Sequence, residues 1–240
     1  MEISERELTE MVRAVDETHR SGMSTMPADL AELHHGEGAR LMGEERLRVA
    51  RGIGLGGAAV AIGAAMVPLS QLFQPAFAQS GDAGIAAFAQ SVELAAVAAY
   101  QAAAASGKVK TPAIATAATT FAGHHKEHAA AFGAAAGSAA TGKPNAKLLA
   151  ALSPQLAAAP DERAVVTLAY GLENSAAATY LFALGALMSE AALQLTASIL
   201  PVEGQHAVVL GSVLGKPATE YVPSFQTTDT YVDPTKYPVS

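Results

Sequence analysis

Two glutamates each have a tyrosine seven residues further on: Glu93 with Tyr100, and Glu173 with Tyr180. Each pair is followed by a second cluster, His125 and His128 after the first, Glu203 and His206 after the second. Carboxylates and imidazoles set in alanine-rich helical sequence are costly to bury unless paired with one another or with a metal ion. A doubled set of this kind predicts a metal site built by two similar helical hairpins, with Glu93, His125, His128, Glu173, Glu203 and His206 as its ligands.

The elements that must position these residues are helices. The chain has 240 residues, a net charge of -7 and 50% hydrophobic residues, yet only 5% aromatics. Alanine favours helix and fills cores poorly, so the composition predicts an all-α fold whose helices pack closely through small side chains. No strong basic patch is present, which argues against nucleic acid as a partner. The absence of cysteine excludes disulfides and thiolate-ligated zinc or iron–sulfur sites. No phosphate loop, dinucleotide fingerprint or Ser/His/Asp arrangement stands out.

From residue 82 onward four long helices are expected. The first covers about 82–106, closed by Gly107, with Lys108 and Lys110 suited to its C-terminal end. Thr111 is the expected cap of the second, which has Pro112 at its first position and runs to about 137. A long connection carries a short helix near 146–152. The third long helix starts near Pro160-Asp161-Glu162 and ends near Met188, and Ser189 caps the fourth, which runs to about 214. Hairpin, long crossover, hairpin is the arrangement of a four-helix bundle with one crossover.

Helix geometry places the polar residues together. At about 1.5 Å per residue, Glu93 stands roughly 20 Å from the end of its helix and His125 roughly 20 Å into the next. Glu173 and Glu203 are likewise matched, at roughly 23 and 20 Å from their turn. The faces agree as well. His125 and His128 continue the stripe Ile114, Ala118, Phe121, and Glu203 and His206 continue Leu195, Ile199. Tyr100 and Tyr180 are expected as hydrogen-bond donors or core residues rather than ligands. His124 and Glu127 fall beside the stripe, as surface or outer hydrogen-bonding groups. Pro201 is placed to kink the fourth helix beside the site.

The remaining segments divide the chain into 1–50, a charged leader; 51–79; 80–215, the bundle; and 216–240, a proline-punctuated tail that Tyr221, Phe225, Tyr231 and Tyr237 pin to the bundle surface. Between residues 53 and 79 no charged residue occurs, Arg46, Arg48 and Arg51 precede the stretch, and Ala76-Phe77-Ala78 suits a signal peptidase. Three readings are open: a cleaved export signal, a retained membrane anchor formed by 53–78, and a buried Gly/Ala helix. The first two place the bundle outside the cytoplasm and leave the leader as a cytoplasmic tail. In the leader, Ser4 with Glu5 and Glu7 starts a helix through about His19, and His19, His34 and His35 are expected to be solvated.

On these residues the chain resembles the ferritin-like superfamily, and in particular exported bacterial ferritin-like domain proteins of uncharacterised role. The resemblance covers about 82–214. It implies one glutamate on each of two helices and Glu-x-x-His on each of the other two. Glu93 and Glu173 match the single glutamates, Glu203 and His206 match one Glu-x-x-His, and His128 matches the second histidine. His125 stands where the family has a bridging glutamate. The resemblance implies one or two transition-metal ions, iron first and manganese or zinc next, with the second ion held more weakly for want of a fourth carboxylate. Iron oxidation, peroxide removal and O₂ activation are the implied activities. A non-catalytic structural or stress-related envelope bundle with a degenerate site is the alternative. A homo-oligomer is left open.

Overall fold

The computed structural model describes residues 3–35, 81–222 and 226–239, with side chains of the first helix described through Met26. Secondary structure among them is helical throughout. The elements are α1 (Glu5–His35), α2 (Gly81–Ala105), α3 (Pro112–Ala136), a 3₁₀ turn (Gly137–Ala139), α4 (Ala146–Ala158), α5 (Glu162–Leu184), α6 (Glu190–Val213) and the short α7 (Ala218–Tyr221). The segment 53–79 and Phe225, on which the export and part of the tail readings rest, lie outside the described residues.

Helices α2 and α3 form one hairpin and α5 and α6 the other, with α4 on the crossover packed against α2. The expected starts hold where a side chain caps the backbone. Asp161 accepts from the Ala164 N–H and Ser189 from the Ala192 N–H, which satisfies donors left over at each N-terminus. Thr111 differs from expectation. Its hydroxyl makes no cap and instead donates to Glu162, whose other carboxylate oxygen takes the backbone N–H groups of Lys110 and Thr111. Lys108 also differs, since its ammonium donates to the carbonyls of Leu156 and Ala157 at the end of α4, not to its own helix. In both cases a tertiary partner outcompetes the local one. Gly107, at φ +69°, closes α2 as a left-handed turn residue.

Among the described residues α2 is the one helix long and apolar enough to cross a membrane, and two thirds of its apolar window is buried inside the protein. Ala95, Phe121 and Ala178 have no exposure at all. Small residues let the helices approach closely, and the few large ones fill what remains: Phe121 stacks on His206 and meets the edge of Tyr100.

The leader is not a free tail. Ser4 and Glu7 form a reciprocal capping box. The helix it starts runs on to His35, well past His19. It lies against α3 and α6, with Leu8 and Val12 buried beside Leu214, Val209 and Ala117. The tail also docks. Tyr231 stacks on Phe182 at 4.3 Å, and the Val232 N–H donates to Thr179.

Asn145 joins α4, the tail and α2, where its backbone N–H donates to the Ser91 carbonyl. It is fully buried, accepts from the Leu148 N–H to cap α4, and donates to the Tyr237 carbonyl in the tail. Replacing it with alanine removes a cap and orphans a carbonyl, which together predict a loss of about 1–3 kcal/mol. Chemical denaturation and limited proteolysis check this. Asn145→Ala is expected to lower the midpoint and expose 226–239 to cleavage, and an unchanged digestion pattern would contradict the pinning role.

Candidate metal centre

Each pair of bundle helices contributes to one point inside the bundle. Glu93 comes from α2, His125 and His128 from α3, Glu173 from α5, and Glu203 and His206 from α6. All six are buried, with Glu93 at 1% exposure and the other five at 0%. The matched heights and faces read from the sequence therefore meet. Two overlapping sets emerge: Glu93, His125, His128, Glu203 and His125, Glu173, Glu203, His206. Within each, one ligand-type atom per residue lies within 4.8 Å of the others.

The two sets share Glu203 and His125. Glu203 sits between the histidines, with Oε1 3.0 Å from His128 Nδ1 and Oε2 3.3 Å from His206 Nδ1. Although these approaches are short, neither oxygen of Glu203 makes a hydrogen bond, and neither does His128 Nδ1. Atoms this close without hydrogen-bond geometry are suited to sharing a cation, and buried polar atoms without partners are rare in folded proteins. The donor set therefore fits a divalent ion of the iron, manganese or zinc type.

His125 has a different role from its neighbours. Its Nδ1 lies 2.6 Å from Glu93 Oε2 and its Nε2 3.2 Å from Glu173 Oε1, so one imidazole links the two single glutamates. Burial alone lowers its pKa, but the charges of Glu173, Glu203 and Glu93 outweigh that and lift it well above the ordinary value. For His128 burial acts downward, and Glu93 and Glu203 raise the imidazole to about 9. His206 is raised as well, against its burial, by Glu173. The carboxylates move the other way. Burial raises Glu93, but His125 and His128 hold it below the usual range, and His125 and His206 do the same for Glu173.

The tyrosines explain the seven-residue spacing. Tyr100 of α2 donates to Glu173 of α5, and Tyr180 of α5 donates to Glu93 of α2. Two antiparallel helices carrying the same Glu-to-Tyr step close both bonds at once, because seven residues span about 10 Å on each. Burial and the neighbouring carboxylates push both phenols well above their ordinary pKa, so each remains a donor.

Three further residues gather on the outer side of the histidines. His124, beside the stripe, is buried and stands 3.0 Å from His206 Nε2. Asp16 and His19 come from α1. Asp16 Oδ1 lies 3.2 Å from His124 Nε2, and His19 Nε2 lies 3.1 Å from His128 Nε2. His19 was expected in solvent but is 4% exposed. Its signal was present: Leu8, Val12, Val15 and His19 follow helical 3–4 spacing, the same pattern that marked His125. Glu127 is half exposed and stays on the surface side. Between α1 and α6, a cleft of about 510 Å³ reaches His19 and His128. Pro201, inside α6, and Ala197 line it.

A family model described as a ferritin-like domain matches residues 81–216, more than half of the chain. Comparison with curated proteins and with solved structures returns no match.

The titration directions predict how the metal-free protein responds to pH. Raised histidines contribute stability that is complete below the ordinary value of 6.5 and lost as pH climbs through about 9, the value of His128. Lowered carboxylates contribute stability that is present above 4.5 and lost as pH falls through their folded values. Burial lowers His19 to about 3 and His124 to about 4, so these two cost stability as pH falls below 6.5. With chelator present, the melting temperature is expected to peak near pH 6.5 and to fall toward both pH 4.5 and pH 9. A profile that stays level from pH 6.5 to 9 would show that the histidines are not charged in the folded state.

Proposed function

This chain belongs to the ferritin-like domain family, and we propose that it binds one or two transition-metal ions, iron before manganese or zinc, at the buried Glu/His cluster. The observation that carries the reading is Glu203: a fully buried carboxylate, flanked by two imidazole nitrogens, with no hydrogen bond to either oxygen. Glu93, His128 and Glu203 would hold one ion and Glu173, His206 and Glu203 the other, with Glu203 shared. His125 touches both sets.

When bound, redox-active iron at such a site supplies electrons to O₂ or peroxide, which supports iron oxidation or peroxide removal. The chain's own residues supply the surroundings. Tyr100 and Tyr180 fix the carboxylates of Glu173 and Glu93. Phe121 covers His206 on one face. The α1–α6 cleft offers a way in toward His128.

Metal must displace protons. Three carboxylates and three raised histidines leave the metal-free cluster close to neutral, so binding an ion releases protons and strengthens as pH rises. Charge also limits the second ion. Two divalent ions bring +4 against three carboxylates, where a fourth glutamate in place of His125 would restore balance.

Loading of chelator-stripped, untagged protein tests the reading. Bound iron, manganese or zinc should raise the melting temperature, by the equivalent of about 2.7 kcal/mol at a hundredfold excess over Kd. The double variant Glu93→Ala, Glu203→Ala should fold and lose that rise. Absence of bound metal with all three ions, or a rise that survives in the variant, would overturn the assignment. His125→Glu is expected to tighten the second ion by at least tenfold, about 1.4 kcal/mol, read as stoichiometry by metal analysis. A second-ion affinity left unchanged would show that His125 does not limit charge.

A further inference from the structure

Metal-facing histidines bind through one ring nitrogen and are oriented by whatever holds the other. In this protein His128 and His206 both present Nδ1 to the carboxylates, which leaves both Nε2 atoms pointing outward. Neither meets a carboxylate or a backbone carbonyl. His128 Nε2 meets His19 Nε2 at 3.1 Å, and His206 Nε2 meets His124 Nδ1 at 3.0 Å. His124 passes the contact on, from Nε2 to Asp16 Oδ1 at 3.2 Å. Two outer groups, Asp16 and His19, therefore belong to α1 and lie outside the stretch matched by the family model.

The two outer imidazoles also hold each other. The rings of His19 and His124 stack at 3.8 Å with 18° between their planes. Their chemistry suits acceptors. A neutral ring accepts at one nitrogen and donates at the other. His128 Nε2–H donates to His19. His206 Nε2–H donates to His124, whose own Nε2–H donates to Asp16. Beyond His19 the next carboxylate, Glu127, stands 3.7 Å from Nδ1, too far for a hydrogen bond.

We propose that Asp16 and His19 of the N-terminal helix are positioning residues of the metal centre, and that the centre reaches its full affinity only with α1 docked. The inference rests on the proposed function, since it assigns outer partners to the ligands named there. It adds a dependence of the bundle on a segment far from it in sequence: His19 and His128 are 109 positions apart, and Asp16 and His124 are 108 apart. Packing alone does not require these two side chains, because Leu8 and Val12 already bury an apolar stripe of α1.

The test uses the full chain, stripped of metal and titrated with Co(II), and reads both the dissociation constant and the ligand-field absorption spectrum. Asp16→Ala and His19→Ala are each expected to weaken Co(II) binding by about 10–100-fold and to shift the visible bands. His19→Gln keeps an acceptor for His128 and is expected to recover most of the affinity. Leu8→Ala loosens the same helix roughly 16 Å away. It should lower the melting temperature and leave the spectrum unchanged. Wild-type affinity and spectrum in both Asp16→Ala and His19→Ala would overturn the proposal. So would a loss in Leu8→Ala as large as theirs with no recovery in His19→Gln, since α1 would then act by packing alone. No binding by the wild-type chain would overturn the metal site itself, and this inference with it.

Discussion

Burying Glu93, Glu173 and Glu203 away from solvent costs several kcal/mol for each charge unless the protein returns the lost hydration. Alanine cannot return it, having no polar atoms. The compensation comes from five groups on four helices: three histidines whose pKa is raised by the carboxylates they face, and two phenols that donate. Each helix supplies charge that another helix must neutralise. No hairpin is complete without its partner, and the cluster acts as a polar key between two apolar surfaces.

That reciprocity also settles direction. Tyr100 with Glu173 and Tyr180 with Glu93 are satisfied together only if α2 and α5 run antiparallel in one register. A slip of one helical turn would leave a carboxylate and a phenol unpaired in an alanine interior, each at a cost of about 1–3 kcal/mol or more. Small side chains alone specify register weakly, because one alanine face looks like the next. The polar pairs provide the specificity that the apolar core lacks. Phe121, wedged between His206 and Tyr100, is the large residue that ties that core to the site.

The four long helices and the convergence of the six site residues were legible in the sequence because they depend on local rules. Rise per residue sets the heights, 3–4 spacing sets the faces, and Asp161 and Ser189 cap the starts. What was misread depends on partners far away in sequence. Thr111 looked like a cap and serves Glu162, and Lys108 looked like the end of α2 and serves α4. The Glu-to-Tyr step was visible, but its meaning needed the antiparallel pairing of α2 with α5. His19 shows the limit most clearly. Its stripe was readable, yet the leader offers no carboxylates at ligand spacing, which made solvent the natural expectation, and only the tertiary structure brings it to His128.

The docked leader completes the bundle. The contacts of α1 need the two side by side: Leu8 and Val12 among bundle residues, Asp16 on His124, His19 on His128. A bundle that had lost α1 would expose Val209 and Leu214, which α1 helps to bury, and would leave His128 Nε2 without its His19 partner. A chain that keeps α1 instead has its cleft, its outer histidines and its carboxylate cluster in continuous contact from surface to centre.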